Sequence, residues 1–534
     1  MLRRYSTKPN TRIIKINCYM ESNRKENNIL KIALFATGCA GIIAEFVLST
    51  LATYLSGNAV FQWTLVMSFM LFAMGVGSRL SRVFQTQLLE WFLVTELLLS
   101  IACATSAIVA YGLAAFIQPI NLVIYSQGII VGILIGLEIP LVTRINESYE
   151  NLRINISNVM EKDYYGSLLG GIIFAFIALP YLGLTYTPII LGCINFLVAT
   201  LVMWRFMALI NHKQIFIFSW LACFCFFIFL CYAAKPIIQF GEQSKYKDKI
   251  VFARQTSYQK IVITRWRKYH WLYLNGQVQF STYDEEKYHE PLVHPAMKLS
   301  AIRKEILVLG GGDGVAVREI LKYPDVEQIT LIDLDPMMTH LGKTHPVLLK
   351  INENSLNSPK IKIIHQDAMT FLEKHDKQFG IVIIDLPDPD TIDLMHVYSL
   401  DFYHLIAHHL MRGGVMVTQA TSPYFSTKAF LCILKTIEAA NMSVLPYHNH
   451  VPTMGEWGFV LGMRKTDIES SQLKNRALQL SFNDIHSKFI NINAMKSMSY
   501  FGKGVLDKLH TVQINTHIRP VLHQYYLSGN WGGY

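Results

Sequence analysis

The pattern of hydrophobic and polar positions divides the chain in two. Over about the first 235 residues, apolar positions form long runs near 30–54, 59–78, 88–116, 121–143, 164–183, 187–206 and 214–234. Runs of about 20 residues match the apolar thickness of a bilayer. They predict a transmembrane helical bundle of seven helices over 29–235. From about residue 250 the rhythm shortens. Ile250–Ala253, Gln259–Thr264 and Trp271–Leu274 are separated by polar turns, and Asn275-Gly276 is a hairpin signal. These predict a small antiparallel β-domain at 246–300. Over 301–465, apolar runs alternate with helical segments: Glu305–Leu309, Gln328–Asp333, Lys360–Ile364, Gly380–Asp385 and Gly414–Gln419. Continuous apolar strands of this kind belong to a parallel sheet covered on both faces, hence a doubly wound α/β domain. A helical extension is expected at 466–534.

Composition supports the division. The chain is 51% hydrophobic and 16% charged, well below the roughly 25% charged usage of ordinary globular domains, and its mean hydropathy is +0.29. Disorder, collagen and coiled coil are excluded. The net charge of +10 comes mainly from residues that flank the apolar runs. No basic stripe with interleaved aromatics marks a nucleic-acid surface. The eight cysteines form neither a disulfide framework nor a zinc spacing.

Residues 1–28 form a basic tail without a cleavage signal, so the first apolar run is expected to be a retained helix. Loops carrying Arg79 and Arg82, then Arg144, Arg153 and Lys162, then Arg205 and Lys213, alternate with loops lacking Lys and Arg. The positive-inside tendency puts the tail and the basic loops in the cytoplasm. Seven spans would then leave the soluble part outside, which conflicts with the substrates inferred below. The basic residues after the last run, Lys235 and Lys245 among them, sharpen the conflict.

Glu45, Glu96 and Glu138 lie inside apolar runs, and Asp163 opens the stretch Asp163–Gly171. Acids at such depth either fix helix packing or mark a polyamine or ion pathway, and both readings stand. Gly166, Gly170 and Gly171 are expected at close helix contacts.

Chemistry concentrates at the ends of the later strands. Gly310, Gly312 and Gly314 follow the first of them and allow a tight turn with close backbone approach. Asp333 ends the next strand, where an acid binds ribose hydroxyls, and Asp367-Ala368 follows the third, near an adenine position. Asp385 and Asp388 end the fourth. A nucleoside site lined by acids follows. Asp313, within the glycine turn, would repel the carboxylate of S-adenosylmethionine but attract an ammonium in its place. Glu290 and Asp390 are further candidates for this cleft, which suits a polycation.

These residues resemble the polyamine aminopropyltransferases, the spermidine synthase family. The resemblance spans about 250–465. It includes Ser257-Tyr-Gln259, Leu274-Asn-Gly276, Asp284–Glu290, Gly310–Gly314, Asp333, Asp367-Ala368 and Asp385-Leu-Pro-Asp388-Pro, in order. The apolar half is similar to the multi-pass, membrane-bound bacterial subgroup, through Gly136–Pro140 and Asp163–Gly171. The resemblance implies a Rossmann-like, class I methyltransferase-type catalytic domain. It implies transfer of an aminopropyl group from decarboxylated S-adenosylmethionine to putrescine, releasing methylthioadenosine, with no tightly bound cofactor and no metal. Asp385 would be the catalytic base. Gln259, Gly310, Gly312, Asp333, Asp367 and Ala368 would hold the nucleoside, and His289, Asp313 and Asp388 the amine groups. The partners implied are the diamine, the donor, a lipid bilayer and further copies of the chain in a homo-oligomer, with the catalytic domain in the cytoplasm. Three departures bear on amine specificity: Asp333 stands for a longer glutamate, Asp390–Asp393 for a Gly-Pro segment, and Met454 for a tyrosine. The alternatives are an S-adenosylmethionine methyltransferase acting on an amine or lipid, and a non-catalytic polyamine sensor or transporter.

Overall fold

The computed structural model describes residues 11–56, 59–114, 116–117, 120–147 and 152–531. They fall into two compact units, Met1–Lys247 and Asp248–Tyr534.

Unit 1 is a helical bundle: α1 (Thr11–Ser56), α2 (Ala59–Leu80), α3 (Leu88–Ala114), α4 (Asn121–Asn146), α5 (Leu152–Ile173), α6 (Gly183–Phe206) and α7 (Lys213–Ser244). By length and composition, 6 continuous helical runs among the described residues could cross a membrane, one of them 58 residues long, Leu152–Leu209. As a single rod that run would measure about 87 Å, against roughly 30 Å of bilayer core. It folds back instead. Gly183 takes φ 63, and the Thr187 hydroxyl donates to Ala178 O at 3.2 Å, although a straight helix would separate these residues by about 13 Å. The run is therefore two helices, α5 with its π-helical continuation Phe174–Leu182 and then α6.

The bundle's connections sort by charge. Arg144, near the end of α4, donates to Ser81 O at 2.7 Å and Phe84 O at 2.8 Å, both after α2. Asn211, between α6 and α7, donates its backbone N–H to Glu90, at the start of α3, at 2.6 Å. These basic connections share one end. At the other end, Lys245, just past α7, donates to Tyr54 O of α1 at 2.7 Å. The chain thus leaves the bundle for unit 2 at the end opposite the arginine-bearing loops.

Small residues bring the helices together, as expected at two of three places. A Cβ on Gly166 would collide with Phe35 O, and one on Gly170 with Cys39 O, whereas one on Gly171 would meet Phe46 at an ordinary 3.6 Å. Glu96 and Glu138 are buried. Thr37 donates to Glu96 Oε1 at 3.3 Å, while Glu96 Oε2 and Glu138 Oε1 have no hydrogen-bond partner among the described residues.

Unit 2 begins with an antiparallel sheet of β1 (Lys249–Gln255), β2 (Lys260–Trp266), β3 (Tyr269–Leu274) and β4 (Gln277–Ser281), paired in sequence order. Asn275 and Gly276, at φ 50 and 89, make the expected hairpin turn. After α8 (Glu286–Leu299) comes a seven-stranded sheet. Its strands are β5 (Glu305–Gly310), β6 (Gln328–Asp333), β7 (Ile361–His365), β8 (Phe379–Asp385), β9 (Leu410–Gln419), β10 (Met442–Val451) and β11 (Gly455–Arg464), in the order β10-β11-β9-β8-β5-β6-β7. The five expected strands, β5 to β9, are parallel. An antiparallel pair, β10 and β11, completes the sheet beside β9.

Helices α9 (Val315–Leu321), α10 (Pro336–Thr344), α11 (Pro346–Ile351), α12 (Ala368–Lys374), α13 (Leu400–His409) and α14 (Thr427–Ala439) connect these strands. Alternate strand residues feed opposite cores: Ile306, Val308 and Ile383 join one, and Leu307, Leu309 and Ile384 the other. Both faces being covered explains the unbroken apolar strands. The chain ends with three short helices, α15 (Ser470–Ala477), α16 (Ile492–Met498) and α17 (Leu522–Leu527), joined by irregular segments.

Candidate active site

Strand register brings the expected residues to one edge. Gly310 of β5 pairs with Asp385 of β8. Leu309 pairs with Ile332, so Gly310 is level with Asp333, and Asp333 pairs with His365 of β7. The carboxyl ends of parallel strands are where ligands bind in open α/β sheets.

The glycine turn is required by space as well as by dihedral angle. Gly310, Gly311 and Gly314 have φ of 81, 68 and 85. Gly312 is needed for a different reason, since a Cβ there would strike the Asp333 carboxylate. Asp313 is buried and accepts the Val315 N–H at 2.8 Å.

Asp385 is the centre of the cluster. Its Oδ1 accepts the Tyr288 hydroxyl at 2.8 Å, and its Oδ2 turns toward Gly311. Burial, with Asp313 nearby, pushes its carboxyl up to about 6 despite the opposing pull of His289. Burial also raises Asp313, and it raises Asp333 and Asp388 to about 7 and Asp390 to about 6. Four groups with proton affinities near neutrality at one strand edge are a functional signature.

His289 is the basic side chain beside these acids. It is buried, and its Nδ1 lies 3.2 Å from Glu285 Oε2. Against the cost of burial, the Glu285 bond and the nearby Asp385 and Asp313 raise its proton affinity. Glu285 is fixed in turn by the Arg318 guanidinium through bonds of 2.9 and 3.0 Å. A carboxylate held by a bidentate arginine is well placed to orient a histidine.

The residues expected to hold the nucleoside lie around Asp333 and Asp367. Asp333 Oδ1 accepts the Asp335 N–H at 2.8 Å. Gln259 donates to Asp335 Oδ2 at 3.0 Å, one step removed from Asp333. Asp367 caps α12 by accepting the Thr370 N–H at 2.8 Å, and Ala368 opens that helix. Its other oxygen lies 2.9 Å from His396 Nε2. The His396 bond holds the Asp367 carboxyl down at about 2. An open cleft of about 540 Å³ lies against this pair, lined by Glu373, Asp401 and His517 among others.

One sequence expectation changes. Glu290 is outside the acidic edge, because its carboxylate accepts the N–H groups of Lys488, Phe489 and Ile490 at 2.7, 2.8 and 2.8 Å. It lies close to His294 and Glu319. Within that trio His294 meets Glu319 at 2.8 Å, and its other ring nitrogen meets the Tyr323 hydroxyl at 3.1 Å. Met454 is buried in the core near β11.

Sequence reasoning passed over Tyr288, although it lies inside the quoted Asp284–Glu290 stretch. It also passed over Tyr526, whose hydroxyl donates to Asp388 Oδ2 at 3.0 Å. Nothing in the sequence ties position 526 to position 388.

A sheet of this order, with a glycine turn and acids at its strand ends, fits the class of α/β enzymes that take a nucleoside-bearing ligand at the strand ends. Comparison with known proteins narrows the class. Residues 285–475 match the spermine/spermidine synthase domain. The chain is 42% identical over 504 residues to polyamine aminopropyltransferase 2 of Aquifex aeolicus, covering 93% of this chain and 98% of that one. It is 36% identical over 499 residues to the polyamine aminopropyltransferase of Leptospira interrogans, covering 93% and 97%. A crystal structure of spermidine synthase in complex with the transition state analogue AdoDATO aligns with a TM-score of 0.45 at 23% identity, over 49% of this chain and 89% of that one. The chain belongs to the polyamine aminopropyltransferase family. It is an enzyme of that type, which decides against the binding-only and methyltransferase alternatives.

Proposed function

We propose that the enzyme transfers the aminopropyl group of decarboxylated S-adenosylmethionine to putrescine, giving spermidine and methylthioadenosine. The observation that carries this reading is the convergence of Asp313, Asp333, Asp385 and Asp388 at one strand edge, each with its proton affinity raised by burial. Such a site favours ligands that bring positive charge. Decarboxylated S-adenosylmethionine brings a sulfonium and an ammonium, and putrescine two ammonium groups.

The step needs one amine in neutral form. Its nitrogen attacks the methylene beside the sulfonium, the carbon–sulfur bond breaks with both electrons going to sulfur, and the nitrogen's surplus proton passes to Asp385. A base near 6 is matched to accepting a proton at neutral pH. Tyr288 fixes one Asp385 oxygen and leaves the other toward the glycine turn. Asp333, Gly310, Gly312, Asp367, Ala368 and Gln259 are assigned to the nucleoside. Asp313 and His289 are assigned to the donor's aminopropyl end, and Asp388 to the acceptor. Holding both reactants in line supplies the remainder of the acceleration.

Unit 1 is assigned to the cell membrane. Phe72, Phe176, Trp204, Phe218 and Tyr232 are 70–81% exposed along helices of bilayer length, and lipid is the solvent that such side chains fit. Unit 2 is assigned to the cytoplasm, from its substrates. A homo-oligomer is part of this reading, on family resemblance.

Asp385→Asn tests the reaction. It keeps the shape of the side chain and removes the base. We expect kcat to fall by about a thousandfold, with methylthioadenosine binding kept within a few fold. Near-normal turnover would remove Asp385 from its role.

A further inference from the structure

We infer that Tyr526 is a positioning residue that sets acceptor-amine affinity, by holding the Asp388 carboxylate so that one oxygen remains free for the far ammonium. The inference rests on the aminopropyl-transfer reading and deepens it at one point of the site. Tyr526 lies beyond the residues matched by the family domain, 285–475, and none of the assigned site residues comes from this tail.

The tail is built into the wall of the cleft. Asn515 is fully buried and donates its side-chain amide to Met395 O at 3.1 Å and Tyr398 O at 3.0 Å. These carbonyls belong to the 3-10 helix Ile392–Tyr398, which follows the Asp385–Asp390 segment. Asn515 also accepts the Leu522 N–H at 3.3 Å, and its backbone N–H reaches the Thr436 hydroxyl of α14 at 3.0 Å. One residue thereby ties the cleft segment, α14 and the start of α17 together. Beyond α17, Trp531 donates to Tyr526 O at 2.9 Å and packs its ring 4.8 Å from the Tyr526 ring. A side chain held at both ends loses little further freedom on making a hydrogen bond.

The two oxygens of Asp388 are in different states. Oδ2 accepts the Tyr526 hydroxyl at 3.0 Å and the Thr421 hydroxyl at 3.4 Å. Oδ1 is buried and meets no donor at hydrogen-bonding geometry among the described residues. A carboxylate oxygen away from water without a donor is costly, so a folded protein keeps one chiefly where a ligand supplies the donor. At an edge lined by Asp385 and Asp390 that donor is an ammonium. Tyr526 selects which oxygen is presented, and the acceptor diamine is the ligand whose second charge needs it.

The test uses the purified full-length enzyme with decarboxylated S-adenosylmethionine and a putrescine titration. Tyr526→Phe should raise KM for putrescine about tenfold, the loss expected for one hydrogen bond to a charged group. The kcat and the KM for the donor should stay within about twofold. Tyr525→Phe, which removes the neighbouring hydroxyl that accepts the Gln513 N–H, should leave all three unchanged. In an Asp388→Asn background the Tyr526 effect should vanish, because the two residues act on one interaction. An unchanged putrescine KM in active Tyr526→Phe would overturn the inference and leave the reaction standing. So would an equal rise for the donor, or the same rise in Tyr525→Phe. Absence of aminopropyl transfer by the wild-type enzyme would remove the reaction reading, and the inference with it.

Discussion

At the scale of residues, the site works by placing acids where water is scarce and charge of their own sign is near. Asp385 is the clearest case. Its proton affinity, raised to about 6, means that below pH 6 the group is largely protonated, a state in which the proposed base takes no proton from the amine. Activity should therefore fall as pH drops through 6, tending to a tenfold loss per unit, and rise as pH increases toward 7. A kcat/KM profile for the donor, taken at saturating putrescine, checks this, and a profile flat from pH 5 to 7 would contradict it. The acids themselves were legible in the sequence because each sits at a strand end, a position that periodicity locates. Tyr288 lay one residue from the named His289 and went unread, since a tyrosine inside a helix is more often core. Its bond to Asp385 exists only once α8 packs beside β8, and a linear pattern does not carry that contact.

At the scale of elements, legibility follows how local the determining forces are. The hairpin at Asn275-Gly276 and the five parallel strands were readable because turn chemistry and unbroken apolar runs are local properties. The β10–β11 pair was less so. His448 and Asn449 interrupt the apolar run of β10, and Gly458 and Gly462 interrupt that of β11. The extension at 466–534 showed no sustained period, and its short helices owe their places to tertiary contacts such as those of Asn515. In unit 1 the reversal at Gly183 keeps the helix count odd, with the arginine-bearing loops at the end opposite the chain's exit after α7. A cytoplasmic catalytic unit then puts those loops outside, so substrate access and the positive-inside tendency oppose one another. With Cys225 and Cys231 replaced, a cysteine at Gln85 should react with an impermeant maleimide added to intact cells, and one at Lys465 should not. The reverse labelling would place the catalytic unit outside.

At the scale of the whole molecule, the two units follow different rules for the same side chains. Unit 1 exposes large apolar residues and buries Glu96 and Glu138. Unit 2 buries its apolar residues in cores on both faces of a sheet and gathers acids at one edge. The 42% identity with the Aquifex aeolicus aminopropyltransferase runs over 93% of the chain, so both units are shared with that relative. The chemistry is nevertheless assigned to unit 2 alone, where the residues proposed for base, nucleoside and amine lie together.

The central claim is that these acids select a donor without a carboxylate and an acceptor that is an amine. Its most direct test incubates the full-length enzyme with putrescine and either decarboxylated S-adenosylmethionine or S-adenosylmethionine, and follows products by mass. The account predicts spermidine and methylthioadenosine in equal amounts from the decarboxylated donor, and no transfer from the other. Methylated putrescine and S-adenosylhomocysteine from S-adenosylmethionine would contradict it.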